Sequence, residues 1–317
     1  MRTLIGMHGL TAAEQDRINS LVPGWRTVYG RPDEIPRELF REAEIVFGWC
    51  PAVAEEGLAA GSKLRWVQSW SAGVDTLPLQ ALEERGIILT GASGVHPVQM
   101  TETVFAMLLA FSRNLHNAVR NQTNGKWDKS GSYGELAGKT IGIVGAGAIG
   151  TETARIAKAF GMATVGVRRS GLPQPNFDRM LDAGGLNELL AVSDVVVNIL
   201  PQTAETSKLF GKEQFARMKR TAIFINVGRG KAVDTGALAE ALREGVIAGA
   251  GLDVTDPEPL PEDHPLWRMD NVIITPHIGG MSDRYKEKVT AIFAENLQAY
   301  LTDGRPVRNV IDYRNPY

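Results

Sequence analysis

Three short stretches set reactive side chains just beyond apolar runs: Asn226-Val227-Gly228-Arg229-Gly230, Asp256-Pro257-Glu258-Pro259 and Thr275-Pro276-His277-Ile278-Gly279-Gly280. An arginine, a carboxylate and a histidine suffice for hydride transfer to a 2-oxo acid. The arginine binds the substrate carboxylate and polarises the carbonyl, the histidine gives its proton to the developing alkoxide, and the carboxylate orients the histidine and favours its charged form. Taken singly, each has a plainer reading. Arg229 could cap a sheet, Glu258 is one of several acids in a proline-rich loop, and His277 could be a satisfied loop histidine.

Such chemistry needs a hydride carrier, and the chain offers a place for one. Residues Gly138 to Gly150 read as an apolar run followed by Gly145, Gly147 and Gly150, a G-x-G-x-x-G. Thr140 to Val144 suits a buried parallel strand, and Thr151 to Phe160 continues as a helix, with Ala154, Ile156, Ala157 and Phe160 near helical spacing. In that setting Gly145 permits the tight turn, Gly147 lets a pyrophosphate approach the backbone, and Gly150 lets the helix pack on the strand. The helix N-terminus supplies N–H groups and the positive end of its dipole to the phosphates.

The elements that position these groups follow an α/β rhythm. In the first hundred residues the apolar runs Thr3 to Ile5, Ile45 to Gly48, Leu64 to Gln68 and Ile87 to Leu89 alternate with amphipathic stretches, which argues for a parallel α/β unit without a glycine fingerprint. Beyond the glycine turn, Ala163 to Val167, Val195 to Leu200, Ala222 to Val227, Ala248 to Val254 and Val272 to Thr275 continue as strands. In an open parallel sheet, ligands bind beyond the carboxyl ends of strands, so Arg229, Asp253, Glu258 and His277 are expected to converge there.

Two early loops carry open readings. Ser69 to Asp75 either presents backbone N–H groups to an anion or is an ordinary strand-to-helix turn. Gly91 to Pro97 reads as a hinge leading into a helix at Thr101 to Phe111, with His96 read first as a structural residue.

Composition bounds the function. A chain of 317 residues suggests two domains, and 44% hydrophobic content leaves ample core. With 34 basic and 36 acidic residues and a formal charge of -2, net charge argues for neither nucleic acid nor an anionic membrane as partner. The single Cys50 rules out an internal disulfide and suits a reducing cytosol. No apolar run approaches the ~20 residues of a membrane helix, so a cytoplasmic protein is expected. No metal site is expected.

Position 168 lies 18 residues beyond Gly150, where an NAD-binding unit carries an acidic residue for the ribose 2'-hydroxyl. Here it is arginine. Arg168, Arg169 and the Ser170 hydroxyl would bind a 2'-phosphate, which favours NADP(H), with NAD(H) the alternative if the pair is only a solvated basic loop.

Together and in this order, the motifs resemble the D-isomer-specific 2-hydroxyacid dehydrogenase family over almost the whole chain. The match includes Ser71 to Asp75, Gly138 to Gly150, Val197 to Pro201, Asn226 to Asp234, Gly251 to Val254, Glu258 to Leu260 and Pro276 to Gly280. The resemblance implies that Arg229, Glu258 and His277 are catalytic, that Gly73, Val74 and Arg229 bind the substrate, and that Asp253 with the Val227 carbonyl holds the nicotinamide amide. It also implies cofactor contacts from Gly145, Gly147, Ala148, Ile149, Gly150, Leu200, Pro201, Thr206, His277 and Gly279.

The resemblance implies two Rossmann-like, doubly wound parallel-sheet α/β domains, flavodoxin-like and dinucleotide-binding, with the cleft between them, and a homodimer. The expected boundaries are 1–99 with 286–317 for the substrate domain and 100–285 for the dinucleotide domain. Two features depart from the family pattern, Arg168 in place of the usual acid and His96 where many members have asparagine. The chain ends at Tyr317, so the serine feedback of longer phosphoglycerate dehydrogenases is not expected.

The activity expected is NADPH-dependent reduction of glyoxylate, hydroxypyruvate or a larger 2-oxo acid to the D-2-hydroxy acid. Trp49, Trp70, Tyr133, Trp267 and Met281 are read either as walls of the substrate cleft or as packing residues. The alternatives are an NAD-linked dehydrogenase acting, for example, on D-3-phosphoglycerate, and a nucleotide-sensing binding platform like the corepressors similar to this family.

Overall fold

The computed structural model describes residues 1–314. The chain forms two compact units, Met1–Val95 with Ser282–Tyr317, and His96–Met281. Residues 315–317, the end of the segment expected over 286–317, lie outside the described residues.

In the first unit, β1 (Thr3–Gly6), β2 (Arg26–Tyr29), β3 (Ile45–Phe47), β4 (Trp66–Gln68) and β5 (Ile88–Thr90) form a parallel sheet in the order β2-β1-β3-β4-β5. This is the flavodoxin-like order. Helices α1 (Ala12–Leu21), α2 (Glu38–Glu42) and α3 (Leu79–Glu84) link the strands. Alternate strand residues enter opposite cores: Leu4, Ile45, Phe47 and Trp66 pack on one face, and Ile5, Val46, Val67 and Leu89 on the other.

The second unit opens with α4 (Pro97–Ser112) and α5 (Leu115–Thr123). Pro97 sits at the first helical position, where its missing N–H costs nothing, so α4 starts four residues before the expected Thr101 and leaves no break near residue 100. Its sheet holds β6 (Thr140–Val144), β7 (Ala163–Val167), β8 (Arg179–Leu181), β9 (Val195–Asn198), β10 (Ile223–Asn226), β11 (Gly249–Leu252) and β12 (Val272–Ile274). All are parallel, in the order β12-β11-β10-β9-β6-β7-β8. Counted from β6, this is the dinucleotide-binding order with one strand added.

The connecting helices are α6 (Ala148–Ala159), α7 (Leu186–Val192), α8 (Lys212–Arg217) and α9 (Thr235–Arg243). Ile141, Ile143, Val197 and Ile225 face the core shared with α4, while Val144, Val196, Phe224 and Leu252 face the opposite core with Phe215 and Leu238. Both sheets are therefore doubly wound. The last helix, α10 (Tyr285–Asp303), packs Val289, Ile292, Phe293 and Leu297 into the core of the first unit.

Two strands, β2 and β8, carry no clear sequence signal. Each is a sheet edge with no fully buried residue, so neither needs the apolar run that marked the others.

Candidate active site

The glycine turn joins β6 to α6, between two strands whose connections leave in opposite directions, β7 on one side and β9 on the other. That switch point is where open α/β sheets bind ligands. Gly145 has φ +108, and a Cβ there would lie 3.1 Å from the Ile199 carbonyl carbon beyond β9. At Gly150 a Cβ would sit 2.4 Å from the Gly145 oxygen, so the helix can close on the turn only with glycine at this position. Gly150 lies inside the first turn of α6, which starts at Ala148 and not at the expected Thr151.

Around Gly147, by contrast, a Cβ would meet nothing within 4 Å. Gly147 is the N-cap of α6, with no side-chain cap. Among the described residues the N–H groups of Ala148, Ile149 and Gly150 have no acceptor. Open space beside unsatisfied helix N–H groups fits a pyrophosphate.

At the end of β7 there is no carboxylate. Arg168 is partly exposed, with its N–H bonded to the Leu181 carbonyl of β8, and Arg169 and Ser170 are exposed. Across from them runs the loop after β9. The Thr206 hydroxyl donates to the Pro201 carbonyl at 2.8 Å and accepts from the Thr203 N–H at 2.8 Å, which closes that loop. The Thr203 hydroxyl, then the backbone N–H of Glu205, and then the nearby charge of Arg169 hold the Glu205 carboxyl below its ordinary range. The Arg169 charge therefore reaches the Pro201–Thr206 loop.

Arg229 follows β10, Asp253 and Glu258 follow β11, and His277 follows β12, so all four lie at the same edge of the sheet as the glycine turn. The structure brings Glu258 and His277 into contact: His277 Nδ1 and Glu258 Oε1 are 2.5 Å apart. This leaves Nε2 without a partner among the described residues. His277 has φ +54, a left-handed conformation that side chains other than glycine adopt at a cost of about 1 kcal/mol or more. Arg229 is partly buried and donates from Nη1 to the Gly228 carbonyl at 2.9 Å.

Asp253 is 2% exposed. Its Oδ1 accepts from the Thr275 hydroxyl and the Ile278 N–H, and its Oδ2 from the Gly279 N–H. Val227 is buried in the core with its N–H on the Asn198 carbonyl.

Asn198 and Asn226, which stand in two of the motifs but without an expected role, tie these loops together. Their signal was present, since each is the lone amide ending an otherwise apolar strand, Val-Val-Val-Asn and Ile-Phe-Ile-Asn.

In the first unit, the loop after β4 buries the Val74 side chain in the core, while the N–H groups of Gly73 and Val74 have no acceptor among the described residues. Such a pair of N–H groups suits a carboxylate. Trp70 is a packing residue, stacked on Phe47 with ring centroids 4.9 Å apart. For Tyr133 the structure decides between the two readings. It lines a cavity with Lys139, Asp194, Thr221 and Ala248, at the amino ends of the strands, so it stands at the edge of the sheet opposite His277 and is no wall of the substrate site.

A sheet of this order with a glycine turn at its switch point defines a dinucleotide-binding unit. Residues 105–279 match the family of D-isomer specific 2-hydroxyacid dehydrogenases through its NAD binding domain. A glyoxylate reductase of Pyrococcus horikoshii is 36% identical over 307 residues, covering 91% of each chain. A solved structure of a family member from Aeromonas salmonicida is 39% identical, with a TM-score of 0.86 over 98% of this chain and 99% of that one. Another, from Xanthobacter autotrophicus in complex with NADPH and MES, is 28% identical, with a TM-score of 0.81 over 100% of this chain and 99% of the other. The chain belongs to the D-isomer specific 2-hydroxyacid dehydrogenase family and is an NAD(P)-dependent 2-hydroxyacid oxidoreductase.

Proposed function

We propose that the protein reduces a small 2-oxo acid, such as glyoxylate, hydroxypyruvate or a larger homologue, to the D-2-hydroxy acid with NADPH. The observation that carries this reading is the His277–Glu258 contact on the sheet edge that also bears the glycine turn. His277 Nε2 gives a proton to the carbonyl oxygen as it becomes an alkoxide, and Glu258 fixes the ring through Nδ1. Arg229 binds the substrate carboxylate and polarises the carbonyl, aided by the N–H groups of Gly73 and Val74. Residues 96–281 then serve as the dinucleotide domain, and the other unit as the substrate domain.

The nicotinamide cofactor, when bound, supplies the hydride. Gly145, Gly147, Ala148, Ile149 and Gly150 would hold its pyrophosphate, while Leu200, Pro201 and Thr206 would line its adenosine. Asp253, the Val227 carbonyl, His277 and Gly279 would surround its nicotinamide. Arg168, Arg169 and Ser170 would take a 2'-phosphate, and the NADPH complex of the Xanthobacter relative supports that choice. Comparing NADPH and NADH oxidation over 2-oxo acids of graded side-chain size tests the whole reading. An NADH preference above about tenfold removes the role given to Arg168 and Arg169.

We further propose a cytoplasmic homodimer built on the second unit. Among the described residues no helix is long and apolar enough to cross a membrane. The amphipathic α5 buries none of its residues, leaving Leu115 and Val119 exposed, and Trp127 beyond it is 92% exposed.

A further inference from the structure

The loop that carries His277 is held by one buried side chain of the neighbouring strand end. Asp253 is linked to residues 275–279 by four hydrogen bonds: Oδ1 with the Thr275 hydroxyl at 2.6 Å and the Ile278 N–H at 3.0 Å, Oδ2 with the Gly279 N–H at 3.0 Å, and its carbonyl with the His277 N–H at 2.9 Å. Its own N–H is fixed on the Asn226 carbonyl at 3.0 Å. A carboxylate has about four lone-pair positions, and three are taken within the protein. Packing is also tight, since a Cβ on Gly279 would fall 2.7 Å from Oδ2.

This clamp surrounds a strained residue. His277 has φ +54, and Thr275, two residues before it, and Ile278, directly after it, are tied to the Asp253 carboxylate. Left-handed conformations of this kind persist only where surrounding bonds over-determine them. Glu258 meets the exposed imidazole but no backbone group of the loop, so it can select a ring orientation only after the main chain has been fixed.

We infer that Asp253 is a positioning residue for His277, whose buried carboxylate holds the Thr275–Gly279 loop in the strained conformation that presents the imidazole to Glu258. This deepens the reading of His277 as proton donor and rests on it. Contact with a nicotinamide carboxamide can fall only to the remaining lone pair.

The test measures hydrogen exchange over residues 275–281 in the protein without cofactor or substrate, together with turnover and NADPH affinity. Thr275→Val removes the 2.6 Å bond but leaves the carboxylate, and Asp253→Asn replaces the acceptor of the Gly279 N–H. Both are expected to speed exchange of the Ile278 and Gly279 amides about tenfold or more. Both should also lower kcat more than they raise KM for the 2-oxo acid. Thr275→Ser, which keeps the hydroxyl, should restore both.

Parental exchange in the two variants, with only NADPH affinity weakened in Asp253→Asn, would overturn the inference and leave Asp253 a cofactor contact. If Asp253→Asn does not fold, Thr275→Val alone decides. Because exchange is read without ligand, a wrong substrate assignment leaves this result intact. Full turnover in His277→Ala would instead sink the proton-donor reading while the exchange data stand.

Discussion

Asn198 and Asn226, both fully buried at the ends of adjacent strands β9 and β10, share a side-chain hydrogen bond of 2.9 Å from Asn198 Nδ2 to Asn226 Oδ1. Asn198 Oδ1 also accepts from the Leu200 N–H, and Asn226 Oδ1 from the Gly228 N–H, while Asn226 Nδ2 donates to the Arg229 carbonyl. Two amides thus set the height of the backbone on which Arg229 stands. Asn226→Ala would orphan buried donors at roughly 1–3 kcal/mol each. Thermal unfolding should show a melting temperature lowered by several degrees, and kcat/KM should fall with it. An unchanged melting temperature would show that the pair is dispensable.

The glycine turn separates stability from binding. Gly150→Ala drives a Cβ to 2.4 Å from a backbone oxygen, so both folding and dinucleotide affinity should suffer. Gly147→Ala meets open space in the protein and should melt as the parent does, yet bind NADPH and NADH more weakly. Calorimetry beside cofactor fluorescence titration reads both quantities, and equal affinity in Gly147→Ala would place the pyrophosphate elsewhere.

Removing the proton donor should act on chemistry alone. His277→Ala is expected to lower kcat by roughly two to four decades, with NADPH affinity changed only slightly. Glu258→Gln should give a smaller loss, because Nδ1 keeps a polar partner. Steady-state kinetics and a binding titration on the same preparations distinguish this from general damage.

Cofactor choice should follow the end of β7. Arg168→Asp with Arg169→Ala replaces two cations with one anion and should weaken NADPH far more than NADH. Dissociation constants for both cofactors check this, and a parallel loss of the two would show that the arginines do not read the 2'-position.

Acid sensitivity has a local source at Asp178. Lys158 first, then the Thr164 N–H, hold its carboxyl below the ordinary range. A depressed carboxylate stabilises the fold above its ordinary pKa and loses that contribution as the pH falls through the folded value. Asp178→Asn should therefore melt lower than the parent at neutral pH, with the gap closing as the pH falls below about 4. The ion pair is exposed and the effect is correspondingly modest.

The pattern of residues made the strands β6, β9 and β10 legible, because each is buried on both faces and must be apolar. The same rule hid β2 and β8 at the sheet edges. Glu258 and His277 stood out as reactive types after strand ends, and their contact required only that β11 and β12 be neighbours. The engagements of Asp253 and the Asn198–Asn226 pair were not legible, since they depend on which atoms two loops bring within about 3 Å of each other. The place of Tyr133 was not legible for a related reason: an aromatic in a loop carries no mark of which end of the sheet the loop serves.

The split make-up of the first unit has a consequence for how the chain is made. Asn296 of α10 bonds Gln68 Oε1 and both sides of residues 307–308, and the bridge between Thr90 and Val310 adds the tail to β5. Residues 1–95 therefore wait for residues 282–314, which are made later. His96–Met281 is one uninterrupted stretch and can complete its sheet during translation, whereas residues 1–95 hold an unfinished core until α10 arrives. Of the two units, the one whose first segment is made earlier finishes folding later.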